Sequence, residues 1–585
     1  MTTQSGSDAM KNSSQTGAPA NSSANVPSNV PPTSVPLRSR IGLWLGGGLF
    51  VFILLFVDLD PTNPLVTRMF AVVVLMAVWW ITEAIPIPAT SLLPIVLFPM
   101  LGIMRGGFRD ASSQVDFSET SLRNGLQPSD LDIVFPNVTS QYMDWLIFLF
   151  LGGFLIAIAV EKWNLHKRIA LHILRVIGGE PRRLVLGFMV ATGFLSMWLS
   201  NTATTMMMMP MALSLIVLYE ELNRGIVAKG GSVDVRAPNF ALVLMLGIAY
   251  SSSIGGLATI IGTPPNGVLV TQMSQLFPEA PPLSFGGWMV FALPLSVVFL
   301  FAVWLMLCRF LFPLPATTPF SGRDFIDSEI RGLGPMSNEE KKVAVVFVAV
   351  AVLWMTRSER LLGAGIDIYG WSHWLDLLLS KFDIAPVGSL IDDGTVGIAM
   401  ALTLFAIPAS KEKGGFLLDW ESAKQVPWGI LLLFGGGLAM AKGFATSGLS
   451  NYLAEVFETM LAGANPLVIV VSVVTFMTGF TEFTSNTATA SMSMPIMASL
   501  AQAINVSPLL LMIPAAIAAS CAFMLPVSTP PNAIVYGTGR VPIMKMVVAG
   551  IWLDVMSVIL VTLFVYTFGH LSFDLLGEIP SWARR

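Results

Sequence analysis

Charge is what this chain has least of: Asp, Glu, Lys and Arg make up 12% of its 585 residues, against about 25% in an ordinary soluble domain. That deficit excludes a water-facing globule. Cysteine is nearly absent, and the two present, Cys308 and Cys521, lie in apolar runs, so no disulfide framework is indicated. Four histidines, His166, His172, His373 and His570, are scattered without metal-ligand spacing. No cluster of His, Asp or Cys stands out, which argues against an enzyme. A glycine-rich nucleotide loop is missing, so the chain is not expected to run on ATP. The net charge of −4 and a pI near 5.7 argue against a nucleic-acid partner.

What is there is hydrophobic: 54% of the residues, with a mean hydropathy of +0.72. Apolar runs such as Ile41–Val57, Phe70–Ile81, Trp145–Val160, Trp288–Leu307, Val343–Trp354 and Met546–Phe568 recur along the chain. They predict an all-α polytopic membrane protein in a lipid bilayer, with about eleven crossings plus two apolar segments that do not fit as simple spans. Residues 1–37 are built from Ser, Asn, Thr, Pro and Gly and predict a disordered tail. They are not a signal peptide, since the first apolar run starts only after Arg38 and Arg40.

Sorting Lys and Arg by loop places the N-terminus in the cytoplasm. The basic set includes Lys167, Arg168, Arg175, Arg182, Arg183, Arg224, Lys341, Lys342, Lys411, Lys413 and Arg540. An odd number of crossings then leaves the C-terminus, residues 573–585, outside, where Arg584 and Arg585 fit the charge rule poorly. External excursions are expected at 104–141 and 358–390, and a cytoplasmic linker at 311–341.

Internal self-similarity is the strongest signal. Ser200-Asn201-Thr202-Ala203-Thr204 recurs as Ser485-Asn486-Thr487-Ala488-Thr489. Thr263-Pro264-Pro265-Asn266 recurs as Thr529-Pro530-Pro531-Asn532, and the pair Gly152-Gly153 as Gly435-Gly436. Three elements in one order mark a duplication. The first unit, with an extra leading helix, occupies 38–310, and the second 342–572. Five crossings separate the two Ser-Asn-Thr segments, so they are expected to enter from opposite faces. Such an inverted repeat is typical of secondary transporters.

Each Ser-Asn-Thr is expected at the tip of a re-entrant hairpin, near 183–219 and near 466–503. Ser, Asn and Thr favour helix N-caps, and the free N–H groups of a new helix face an anion well. The helix that ends at the same tip leaves carbonyls free for a hard cation. The Pro-Pro pairs remove donors, break the helix and free further carbonyls. A lone Ser-Asn-Thr is more often glue between helices and a lone Pro-Pro more often a kink, but both are duplicated and paired here. No Lys or Arg lies near either tip in sequence. Helix ends supply only about half a charge each, so a dianion calls for bound cations. Hydroxyls, amides and carbonyls suit Na⁺ better than a proton. Glu482, three residues before Ser485, is read as a capping or orienting group ahead of a proton or cation carrier. Glu83 reads as an interface anchor and Met206–Met209 as packing.

Together with Trp79-Trp80, Thr82-Glu83-Ala84-Ile85-Pro86 and Leu165-His166-Lys167-Arg168-Ile169-Ala170-Leu171, these pairs resemble the divalent anion:sodium symporter family across roughly 38–572. The resemblance implies a homodimer working as an elevator, with a scaffold domain and a mobile transport domain. It implies sodium-coupled symport of C4-dicarboxylates (succinate, malate, fumarate). Left open are a sodium-independent dicarboxylate exchanger, citrate or sulfate as substrate and, from a different class, an anion channel. By similarity, a first sodium site takes Ser196, Ser200, Asn201 and the backbone at Gly262. A second takes Thr481, Thr484, Ser485, Asn486 and the backbone at Ser528. Substrate would meet Asn201, Thr202, Thr263, Pro264, Asn486, Thr487, Thr529 and Pro530. A bacterial inner membrane is the expected location.

Overall fold

The computed structural model describes residues 36–104, 137–230, 232, 234–315, 322–357, 369–382, 385–410, 413–461, 463–573, 575–576 and 579–584. Nearly all of the expected tail 1–37 lies outside the described residues. So do 105–136 of the 104–141 excursion, 316–321 of the linker, and 358–368 and 383–384 of the 358–390 excursion. Among the described residues the chain is helical, with no strand beyond an isolated bridge between Pro408 and Phe416.

Backbone amides in lipid have no water to bond, so an apolar run satisfies them in its own helical ladder. Among the described residues, eight helices are long and apolar enough to cross a membrane, from Leu37–Phe56 to Ile543–Gly569. Four shorter apolar stretches, Ile87–Met100, Asp393–Ala406, Pro466–Thr481 and Pro508–Ala519, fall below the roughly 20 residues of a full crossing. The apolar sequence is therefore divided more finely than a count of about eleven crossings implies. Proline and small polar residues stop helices part-way. Asn338–Met355 is long enough, yet opens on Glu339, Glu340, Lys341 and Lys342. Several helices begin at a proline whose missing N–H is unneeded in a first turn: Pro64, Pro181, Pro264, Pro466, Pro508 and Pro530.

Seven helices run in one order twice. The first series is Trp145–Lys162, Leu165–Ile177, Pro181–Ser196, Asn201–Ala228, Asn239–Gly256, Pro264–Leu276 and Phe285–Leu305. The second is Trp428–Ser447, Leu449–Leu461, Pro466–Thr481, Asn486–Ala503, Pro508–Ala519, Pro530–Gly537 and Ile543–Phe573. In each, the third and fourth helices form a hairpin whose tip carries Ser-Asn-Thr. The fifth and sixth flank a break that carries Thr-Pro-Pro-Asn.

The helices before the breaks are the innermost. In Asn239–Gly256, 89% of the residues are buried, against 22% in Leu37–Phe56, and every residue of Pro508–Ala519 is buried. The two series are interleaved. Pro264–Leu276 packs on the second hairpin helix Asn486–Ala503, and Pro530–Gly537 packs on Asn239–Gly256 and Asn201–Ala228. Buried Gln272 fixes the first of these contacts by donating to Ser491 O at 2.9 Å.

Several charged side chains sit at or near helix ends. Arg168, within the Leu165–Leu171 run, clamps Glu340 through Nε at 3.1 Å and Nη2 at 3.2 Å and donates to Gly334 O. Glu83 closes Pro64–Thr82 in the left-handed region at φ 48° and pairs with Arg38. Lys162 beside Asp419 holds its carboxyl down at about 2. Burial pulls the His166 imidazole down to about 4, so it is neutral near pH 7.

Candidate functional site

The first tip forms where Pro181–Ser196 ends and Asn201–Ala228 begins. Ser200 is its N-cap, with extended backbone (φ −63°, ψ 144°), and its hydroxyl accepts from Ala203 N at 3.2 Å. Three oxygens surround the Asn201 amide: Ser196 Oγ at 2.6 Å, Ser252 O at 3.0 Å and Gly262 O at 3.3 Å. With its nitrogen turned inward, Asn201 donates to all three. With its oxygen turned inward, four oxygens converge, the donor set that a hard cation takes.

The break facing this tip is knitted by side chains. Thr259 Oγ1 donates to Met197 O at 2.5 Å and accepts from Gly262 N at 3.0 Å. Asn266, fully buried, donates from Nδ2 to Gly256 O, Leu257 O and Thr259 O at 3.3, 3.1 and 2.8 Å. Glycine makes the approach possible. A methyl on Gly256 would stand 2.6 Å from Asn201 Oδ1 and 2.9 Å from Gly262 O. One on Gly255 would stand 2.2 Å from Gly193 O.

The second tip joins Pro466–Thr481 to Asn486–Ala503. Thr481 Oγ1 reaches both Asn486 Oδ1 at 2.9 Å and Ala519 O at 2.8 Å. Thr484 donates back to Phe480 O at 3.0 Å and meets Thr489 Oγ1 at 2.5 Å. Ser485 occupies the N-cap (φ −67°, ψ 129°) without a capping bond from its side chain. In the break, Asn532 Nδ2 takes Ala522 O at 3.3 Å, Leu525 O at 3.1 Å and Ser528 Oγ at 3.3 Å. Buried Glu482 accepts from the backbone N–H of Phe523, of Met524 at 2.9 Å and of Leu525 at 3.1 Å.

The breaks meet each other. Thr263 and Thr529 are both extended N-caps (φ −141° and −150°), with Pro264 and Pro530 as the first helical residues. Thr263 Oγ1 lies 3.2 Å from Ser520 Oγ. A continuous line of contacts therefore runs from Asn201 through Gly262, Thr263, Ser520, Ala519 and Thr481 to Asn486. Thr202 and Thr487 stand in the first turns of the two hairpin helices, Thr202 half-buried and Thr487 buried.

Of the residues singled out in the sequence, Ser196, Asn201 and Gly262 come together around one amide, and Thr481 touches Asn486 directly. Ser200 spends its hydroxyl on its own helix, Thr484 on Thr489, and Ser528 donates to Leu525 O at 2.7 Å within the break. The sequence reading missed the Ser252 carbonyl, Thr259, Ser520 and the knitting role of Asn266 and Asn532. It also passed over Asp554. Gly550, on the same helix, is pressed onto the second break, where a methyl would lie 2.3 Å from Met524 Cα. Asp554 follows one turn later, with a buried Oδ1 that has no hydrogen-bond partner among the described residues. A lone acid in an apolar run is itself a signal.

The family model described as the sodium:sulfate symporter transmembrane region matches residues 44–575. The chain belongs to this family. Membership makes it an integral membrane protein and agrees with the resemblance carried by the paired tips and breaks. The chain is 44% identical over 527 residues to the sodium-dependent dicarboxylate transporter SdcS of Staphylococcus saprophyticus, with 90% of each chain covered. It is 42% identical to the transporter of that name from Staphylococcus aureus, over the same share of each chain. In fold it is similar to the crystal structure of the YdaH transporter from Alcanivorax borkumensis, with a TM-score of 0.50 at 12% identity. That match covers 85% of this chain and 99% of the other.

Proposed function

We propose that this protein is a secondary active transporter that carries C4-dicarboxylates (succinate, malate, fumarate) together with Na⁺. The observation that carries the reading is the unbroken line of contacts from Asn201 to Asn486, with an oxygen-rich amide pocket at each end. Ser196, Ser200, Asn201 and Gly262 hold one Na⁺. Thr481, Thr484, Ser485, Asn486 and Ser528 hold another. The dianion lies between, against Asn201, Thr202, Thr263, Pro264, Asn486, Thr487, Thr529 and Pro530. Four helices start here, at Asn201, Pro264, Asn486 and Pro530, and turn positive dipole ends toward it, and the two that start at Asn201 and Asn486 also offer first-turn N–H groups. The bound cations supply the charge that dipoles alone do not, which couples substrate to sodium.

In this reading the two hairpins are re-entrant, the series are inverted in the membrane, and the chain makes about eleven crossings with the N-terminus in the cytoplasm and the C-terminus outside. It works as a homodimer in a bacterial plasma membrane. The buried helices around the tips move as one body against the exposed outer helices, an elevator motion. The SdcS relatives, named as sodium-dependent dicarboxylate transporters, favour this substrate and ion. The family model's own description favours a second reading, sulfate in place of dicarboxylate.

Purified protein in liposomes, given labelled succinate with and without an inward Na⁺ gradient, tests the proposal. Uptake that depends on the gradient supports it, and uptake indifferent to Na⁺ removes the coupling. Displacement of succinate by sulfate but not by malate would turn the substrate assignment to the second reading.

A further inference from the structure

We propose that the short helix Trp371–Ser380, between Asn338–Met355 and Asp393–Ala406, lies on the bilayer surface with its apolar face sunk among the lipid chains. The partner is the lipid itself, so the inference goes beyond the transport reading and stands without it.

The helix is amphipathic the wrong way round for water. At about 100° per residue, Ser372, Asp376 and Ser380 form one stripe, and Trp374, Leu377 and Leu378 form the opposite side. The polar stripe is the one that grips the protein. Ser372 Oγ donates to Arg357 O at 2.7 Å, and Asp376 Oδ1 accepts from Val387 N and Gly388 N, both at 2.7 Å. Gly388 fits there because it has no side chain: a methyl would stand 2.6 Å from Asp376 Oδ2 and 2.7 Å from Ser372 O. The apolar side is left open, with Trp374 58% and Leu378 52% exposed, and exposed Phe382 extends it in the turn that follows. A helix on a water-facing surface turns its apolar stripe inward. This one turns it outward, and none of its residues is buried.

Its height is fixed by its first residue. Trp371 donates from its backbone to Thr356 O and from Nε1 to Leu353 O, both at 2.9 Å, which pins it to the last turn of Asn338–Met355. That helix exposes Val345, Val348 and Val352 along one side, and in an integral membrane protein such a side faces lipid. The polar level just beyond is marked by Arg357, which pairs with Asp393 and donates to Ile391 O at 2.9 Å. At about 1.5 Å per residue the whole helix stays within about 15 Å of that level. An open apolar face at this height has the boundary between headgroups and acyl chains beside it. Trp374, and Tyr369 stacked on His373 at 4.3 Å, are the aromatic types that settle there.

Spin labelling of the full chain in phosphatidylcholine liposomes tests the proposal. Nitroxides are attached at Leu378→Cys on the apolar face and at Ser380→Cys on the polar stripe. Wild-type protein, whose Cys308 and Cys521 are buried, gives the background. The Leu378 label should relax more with oxygen than with a water-soluble nickel chelate, at a depth of about 5–10 Å below the phosphates. At Ser380 the order should reverse. That pair of results supports the assignment, and any other pair overturns it. Nickel preference at Leu378 would put the face in water. Shielding from both reagents would put it against protein, and dipolar broadening between labels would then identify a second copy of the chain as its cover. Oxygen preference at both positions would sink the whole helix into the chains instead of laying it on the surface. If Leu378→Cys does not fold, Leu377→Cys on the same face decides by the same criteria. Failure of both to fold would make the face part of the packed core and overturn the proposal as well.

Discussion

The two breaks reach similar geometry by different means. In the first, glycines at 255, 256 and 262 let backbone strands touch, and the neutral hydroxyl of Thr259 closes the joint. In the second, Cys521, Ala522 and Ser528 occupy the equivalent places, and a buried carboxylate gathers three amides instead. What stays constant is the amide that knits each loop, Asn266 in one and Asn532 in the other. Duplication has preserved the polar groups that define the oxygen pockets and let their supports diverge. One pocket is shaped by close packing and the other by charge, so the two can be tuned separately.

Four experiments probe this contrast. Asn201→Ala and Asn486→Ala should each abolish uptake in liposomes while the protein stays monodisperse in detergent. Normal uptake by either would end the equivalence of the two tips. Gly256→Ala should come next, lowering uptake by about tenfold or more because its methyl collides with Asn201 and the Gly262 carbonyl. The reciprocal Ala522→Gly should leave uptake within about twofold, since it removes one methyl and keeps the backbone carbonyl that Asn532 holds. Equal effects would erase the distinction between packing and charge.

Asn266→Leu strips three buried carbonyls of their donor and should cost on the order of 2–4 kcal/mol in detergent unfolding. Asn532→Leu should cost less, because Glu482 still holds the same loop from its other side. A larger loss at Asn532 would mean that the carboxylate contributes little. The smallest effect is at the N-caps. Without Na⁺, Ser200→Ala should lower stability by about 1 kcal/mol through its lost bond to Ala203 N. Ser485→Ala, which makes no such bond, should leave stability unchanged.

The tips and breaks were legible because each appears twice, and polar groups repeated in apolar sequence are hard to explain as packing. The family was legible for the same reason. The division into helices was less so, since a hydropathy count registers apolar length and not the points where Ser, Asn and Pro stop a ladder. Directions of hydroxyls could not be read at all. Thr484 and Ser200 look like free ligands on paper, yet each finds a partner one turn away. Thr259 and Ser520 carry no motif, and their roles appear only once residues far apart in the chain are adjacent. Asp554 escaped because the corresponding helix Phe285–Leu305 has no acid to pair it with.

The interleaving of the two series also sets an order of assembly. Gln272 meets Ser491 across 219 residues of chain. At ordinary rates of synthesis that stretch takes roughly 10–40 s to emerge. Throughout that time Pro264–Leu276 has no hairpin to dock on, and the amide of Gln272 lacks the Ser491 carbonyl. Early in its life the nascent chain therefore holds a half-built centre, and the last helices to leave the ribosome complete both halves at once.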